Sequence, residues 1–294
     1  MVPPFWLLLC LFVIVTLFLL TTDLSSERIS SREFSSSSEE IEISREWRME
    51  WHACLKLDFD LSAEDFWKNF GGEIDKCAKL KPTNFRNRDE TKHAFLPKTK
   101  IDDKDEIIVT LGIGQDIQAE QELKKSLSGL GVKAKFYGAD PMYMQNSKLF
   151  SEIGTYFPLA VGATTGMSVA SILNEAGSYS KREVYHIELI DYFNDYLKIN
   201  HIDHLWMDNE YTEYDLFPYF YKGGQLEQAG ISICQMNMEV HLPNGEQKKK
   251  FKNFVEQIIK DKQWAFLKQA YVGHYRLFMF NFANASCVKK YFNL

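Results

Sequence analysis

Apolar and polar positions along the chain form two alternating kinds of block. Residues 106–111 (EIIVTL) are a short, nearly continuous apolar run, the pattern of a parallel strand covered on both faces. The stretch 116–130 then sets Ile117, Ala119, Leu123, Leu127 and Leu130 at helical spacing, with Glu120 and Lys124 one turn apart and Gly129 and Gly131 at its end. The same reasoning predicts strands over 132–139, 156–163, 202–207 and 231–240, and helices over 187–197 and 245–262. A helix over 212–221 carries Pro218 as an interruption. The last apolar stretch, 264–283, has turn residues at Gly273 and His274 and reads as an antiparallel hairpin closing a sheet. Strand–helix alternation of this kind predicts an α/β fold with a doubly wound sheet and an antiparallel C-terminal strand. Ligands of such sheets bind beyond the carboxyl ends of the strands, so the residues directly after each strand are the candidates for chemistry.

Ahead of this body the pattern changes twice. Residues 5–20 carry no charge, and 2–22 are long enough to cross a bilayer as a helix. No Lys or Arg precedes the run and no small-x-small site follows it, so residues 1–22 are expected to be a transmembrane anchor, with a cleaved signal peptide as the alternative. Residues 23–50 are rich in serine and acidic side chains and read as a stem, because they hold too little apolar surface to repay ordering. Aromatic residues return at Trp47, Trp51 and Phe59, and residues 51–100 are expected to be a helical lead-in to a domain over 101–294. This layout suggests a single-pass membrane protein of the secretory pathway with its body in the lumen, or a secreted protein. The body holds Cys54, Cys77, Cys234 and Cys287. An even number permits pairing, Cys54 and Cys77 being nearest in sequence, and buried free thiols are the equal alternative. Asn284-Ala285-Ser286 is a sequon that fits a glycoprotein.

Composition narrows the function classes. The 294 residues are 45% hydrophobic with a net charge of -6, which describes a globular chain and excludes a general nucleic-acid binder. Lys248, Lys249, Lys250 and Lys252 read as a solvated helix face. The cysteines show no CxxC spacing, which speaks against a structural zinc site.

Four strand ends carry candidate chemistry. Gly112-Ile113-Gly114 after the first strand allows a sharp bend and a close approach of backbone to a ligand beside a helix N-terminus. Asp140 after the second is placed to accept both hydroxyls of a ribose. Asp208-Asn209-Glu210 after the fourth can position a hydroxyl, take its proton or hold a divalent metal. Glu239 and His241, two apart at the end of the fifth, share a side and can add a base or a ligand to the same cleft.

Taken in order, the segments IIVTLGIGQDIQAEQEL, KFYGADP, LAVGATTG, IDHLWMDNEYTEYDLF and ICQMNMEVH resemble the FkbM-type methyltransferases, and look most like the nematode membrane-anchored members of that group. The resemblance extends over roughly 95–282. It implies a class I methyltransferase-like (Rossmann-like) fold with S-adenosylmethionine as cofactor. It implies that Gly112, Ile113 and Gly114 form the loop under the cofactor's amino acid and ribose, that Asp140 binds the ribose hydroxyls, and that Ala163 and Thr164 lie in the segment lining the adenine. Asp208 and Glu210 match a D-x-E pattern near the transferred methyl. The sequence departs from the family at Thr110 and Gln115, where an acidic residue and a longer glycine run are usual, and at Tyr211, where a glycine follows D-x-E.

The function so implied is methyl transfer to a hydroxyl of a glycan or small metabolite, with Asp208, Glu210 or His241 as base and no metal. Two other readings stay open: a tethered, inactive methyltransferase fold, and a lumenal glycosyltransferase that uses a nucleotide sugar and manganese.

Overall fold

The computed structural model describes residues 46–98, 104–173 and 178–292. The expected membrane anchor and most of the stem lie outside the described residues; among these, no helix is long and apolar enough to cross a membrane.

Among the described residues, twelve strands form three sheets. In chain order they are β1 (Thr83–Arg86), β2 (Thr91–Ala94), β3 (Glu106–Leu111), β4 (Ala134–Ala139), β5 (Thr155–Phe157), β6 (Ala160–Gly162), β7 (Gly166–Leu173), β8 (Tyr179–Glu188), β9 (His201–Met207), β10 (Ser232–Val240), β11 (Trp264–Tyr271) and β12 (Tyr275–Asn281). The central sheet runs β11-β12-β10-β9-β3-β4-β5. All neighbours from β10 to β5 pair in parallel, and β12 alone runs against them, between β10 and β11. This is the expected α/β fold with its antiparallel C-terminal strand, and the predicted hairpin over 264–283 becomes β11 and β12.

Both faces of this sheet are covered, which explains the unbroken apolar runs. On β3, Val109 and Leu111 join one core and Ile108 the other; on β9, Leu205 and Met207 join the first and Trp206 the second. The helix Gln118–Gly129 packs Leu123 and Leu127 into the second core. On the opposite face lie the helices Ala63–Cys77 and Gly245–Asp261. The former starts where Ser62 Oγ accepts the Asp65 N–H (3.1 Å), and the latter opens with a capping box between Asn244 and Gln247. Phe70 and Phe251 meet edge to face at 5.1 Å between the two helices.

Three expectations need correction. The lead-in is not all helix: after a helix over 46–54 and Ala63–Cys77, it ends in the β1–β2 hairpin. That hairpin is held to the central sheet by side chains imitating a neighbouring strand. Asn237 exchanges hydrogen bonds with the backbone of His93 (2.8 and 2.8 Å), and Gln235 does so with Phe95 (2.8 and 3.1 Å). The single strand expected over 156–163 is two strands, because Pro158 lacks the N–H a central strand needs and breaks the run. The helix expected over 187–197 starts at Leu189, since Ile187 and Glu188 end β8, and continues as a π-helical turn over Tyr192–Leu197.

The four body cysteines are paired, Cys54 with Cys77 and Cys234 with Cys287. The second disulfide ties β10 to the last helix, Ala285–Phe292. The same helix meets a buried polar cluster at the amino ends of the strands. There Lys290 Nζ pairs with Asp203 (2.6 Å) and Glu106 (2.5 Å), and the Tyr291 hydroxyl donates to Glu106.

Candidate functional site

The carboxyl ends of β3, β4 and β9 converge on one cleft. It lies where the strand order reverses, with β4 on one side of β3 and β9 on the other.

The glycine turn forms one wall. Gly112 has φ +81°, and a Cβ there would stand 2.1 Å from the carbonyl oxygen of Asp208. No side chain fits, so the glycine is required by close approach of β9 as well as by conformation. Gly114 (φ +61°) and Gln115 (φ +63°) continue the turn.

Asp140 fastens this turn from the end of β4. Its Oδ2 accepts the N–H groups of Ile113 (2.9 Å) and Gly114 (3.4 Å), and its Oδ1 accepts that of Met142 (2.7 Å). A carboxylate offers about four acceptor positions, so acceptor capacity remains for a ligand hydroxyl. The expected partnership of the Gly112-Ile113-Gly114 bend with Asp140 is thus present, with the carboxylate also shaping the bend. The Ile113 side chain is packed into the core behind the turn, and only its backbone serves the site.

The far wall departs from expectation. Ala163 and Thr164 lie past the end of β6 and do not line the cleft: the Ala163 carbonyl accepts the Tyr219 hydroxyl (3.2 Å), and Thr164 is exposed. Ala160 and Val161 line it instead, because the break at Pro158 swings β6 into a separate sheet. That sheet, β6-β8-β7, also contributes Ser171 and Ile172 from β7 and His186 from β8. Sequence reasoning missed these residues. The signal was the two-residue alternation over 183–186, where exposed Glu183 and Tyr185 flank inward Val184 and His186.

Asp208 and Glu210 follow β9 and line the same cleft. Asn209 between them donates through Nδ2 to the Val161 carbonyl (2.7 Å), joining the two sheets. The backbone then turns left-handed, with φ +48° at Glu210 and +79° at Tyr211. The family's usual glycine would sit freely there; a tyrosine carries a cost of about 1–2 kcal/mol. Its ring lies against His241, 5.0 Å between centroids, and is 42% exposed. Tyr211 is absent from the cleft lining, so the side chain does not fill the cleft.

His241, just past β10, is buried beside these carboxylates. Its Nε2 lies 3.3 Å from Asp208 Oδ1 and 3.5 Å from Glu210 Oε2, while Nδ1 and the backbone N–H both meet Glu213 Oε1 (3.1 and 2.8 Å). Burial alone would favour the neutral ring, but Asp208 and Glu213 outweigh it and push the imidazole up to about 11. The ring stands between the carboxylates of Asp208, Glu210 and Glu213 and clamps them. Glu239, two residues earlier, is paired with Arg276 (3.1 Å) and meets the His274 ring, and Lys92 stands close by, paired with Glu90 (2.5 Å). Neither Glu213 nor Lys92 stood out in the sequence, since each is one of several charged residues in its segment, 208–215 and 86–92.

Comparison with known proteins agrees with this geometry. No curated protein matches the chain. A family model, the methyltransferase FkbM domain, matches residues 69–281, from within the helix Ala63–Cys77 to the last residue of β12. With most of its length matched, the chain belongs to the FkbM methyltransferase-domain family.

Proposed function

We propose that the protein transfers a methyl group from S-adenosylmethionine to a hydroxyl of a glycan or small metabolite, on a class I methyltransferase-like sheet. The observation that carries this reading is the Gly112–Gly114 bend locked to Asp140 at the strand-order reversal, in a cleft that Asp208 and Glu210 also line. The cofactor, when bound, supplies an activated methyl group. The chain's own task is to hold donor and acceptor in line, an effect worth several kcal/mol, on the order of the lower part of the ~7–11 kcal/mol available from positioning. Gly112 keeps the turn bare of side chains, Asp140 receives the ribose hydroxyls, and Ala160 and Val161 offer an apolar wall to the base. Asp208 or Glu210 takes the acceptor's proton as the oxygen attacks. His241, charged and fixed by Glu213, holds those carboxylates in place. The exposed position of Tyr211 favours an active site over a disabled one.

The two disulfides and the sequon at Asn284 support a body that folds in an oxidising compartment, either lumenal behind an N-terminal anchor or secreted. Calorimetric titration of the purified full chain with S-adenosylmethionine is the test. Binding by the native protein and its loss in Asp140→Ala support the reading; absence of heat at millimolar cofactor with the native, folded protein refutes it. Asp208→Asn is expected to retain cofactor and lose turnover.

A further inference from the structure

The wall between the cofactor cleft and its neighbour has a composition that methyl transfer alone does not require. Asp208 faces the cofactor cleft, and Glu239 faces a second cleft of about 900 Å³ beside Lys92, Asn237 and Arg276. One donor atom from each of Asp208, Glu239 and His241 lies within 4.8 Å of the others, the spacing of atoms around a common ion.

His241 is arranged as a ligand whose direction is set from behind. Fully buried Glu213 holds Nδ1, which leaves Nε2 facing Asp208 and Glu210. A carboxylate that fixes the far nitrogen of a histidine is the usual support of a metal-bound imidazole. On the near side the His241 side chain is only 10% exposed, and its Nε2 lies 3.3 Å from the buried Asp208 Oδ1 and 3.5 Å from Glu210 Oε2. Such separations also suit ligand atoms that share one cation at about 2.0–2.2 Å each.

We infer that Asp208, Glu239 and His241 form a site for a divalent transition cation, oriented by Glu213, at the junction of the two clefts. One imidazole with carboxylates suits manganese, iron or zinc better than calcium or magnesium, which prefer oxygen alone. Glu239 shares its oxygens with Arg276 and His274, and Lys92 also faces the cluster, so the ion binds in competition with these neighbours for the carboxylates. Another grouping, His201, Asp203 and Cys234, has no such capacity, because the Cys234 sulfur is bonded to Cys287 and offers no thiolate. The ion's function, lowering the pKa of an acceptor hydroxyl that reaches the junction from the second cleft, rests on the methyl-transfer reading; its binding does not.

The full chain, stripped with a chelator, is titrated with MnCl2 while free manganese is followed by its solution electron paramagnetic resonance signal, and with ZnCl2 against a fluorescent zinc chelator. The expected result is a single equivalent of one of these ions bound at sub-millimolar concentration. Binding should weaken by about tenfold or more in Glu239→Gln and in Asp208→Asn, each with unchanged far-ultraviolet circular dichroism. Glu213→Gln should weaken it less, as an orienting residue. Failure of the folded native protein to bind either ion below roughly 1 mM, or equal binding by the native and both ligand variants, overturns the site. S-adenosylmethionine titration of the same metal-free sample separates the two readings: ion binding without cofactor binding removes only the methyl-transfer reading, and cofactor binding without ion binding removes only the cation.

Discussion

Replacing Glu120 with glutamine should change how stability depends on pH. Glu120 lies in the first turn of the helix Gln118–Gly129, behind the glycine turn, and is 1% exposed. Its Oε1 accepts the Thr110 hydroxyl at 3.1 Å, and its Oε2 is buried without a partner. Burial raises the carboxyl from 4.5 to about 7, against the opposing attraction of Lys92 and the Thr110 hydrogen bond. Because the folded value lies above the unfolded one, the native state binds more protons between them, and stability falls as pH rises from about 4.5 to about 7. At about 1.4 kcal/mol per unit, the fall amounts to roughly 3 kcal/mol, complete above the folded value and absent below the unfolded one. Glutamine removes the charge and keeps the shape. Its amide has to find an acceptor beside Oε2, so the absolute stability at one pH also depends on that contact, whereas the slope with pH does not. Urea unfolding followed by tryptophan fluorescence at intervals from pH 4.5 to 8.5 measures the slope. The native minus variant difference should grow more unfavourable to the native protein by about 3 kcal/mol across the interval and then level off. Parallel profiles across the whole range would refute an elevated Glu120 and the burial argument behind it.

Gly112→Ala adds a Cβ that meets the Asp208 carbonyl at 2.1 Å in a left-handed conformation, so both cofactor binding by calorimetry and melting temperature should fall; binding equal to the native protein would show that the turn does not approach the ligand. Breaking the Cys234–Cys287 link with paired alanines opens a loop spanning 53 residues and should cost about 4 kcal/mol by loop entropy, read from denaturant midpoints under oxidising conditions, with no change expected under a reductant that already cleaves it. Tyr211→Gly relieves the left-handed strain but adds glycine's entropy and loses the ring on His241, so stability should stay within ~1 kcal/mol; a loss well beyond that would mean the ring is a structural prop.

The pairing of strands with helices was legible because a sheet covered on both faces needs unbroken apolar runs such as 106–111 and 202–207, and these stand out in any window. The glycine turn and Asp140 were legible because a bend and a carboxylate at successive strand ends have few other uses. The β6-β8-β7 sheet was not. Its strands are short or amphipathic, and Pro158 hides the point where the chain leaves one sheet for the other. The surroundings of His241 were not legible for a related reason. Position alone places an imidazole by the cleft, but its charge depends on Glu213, 28 residues away in sequence. Likewise, nothing local to Gln235 or Asn237 announces that their amides take the place of a strand for 93–95.

The polar cluster beneath the sheet sets a schedule for synthesis. Glu106 begins the first strand of the central sheet, yet the tyrosine hydroxyl that meets its carboxylate comes 185 residues later. Until the helix Ala285–Phe292 emerges from the ribosome, a carboxylate destined for the interior stays wet and Cys234 lacks its native partner. The sheet therefore locks only once that helix is made, and until then the growing chain must be kept from aggregating by its surroundings.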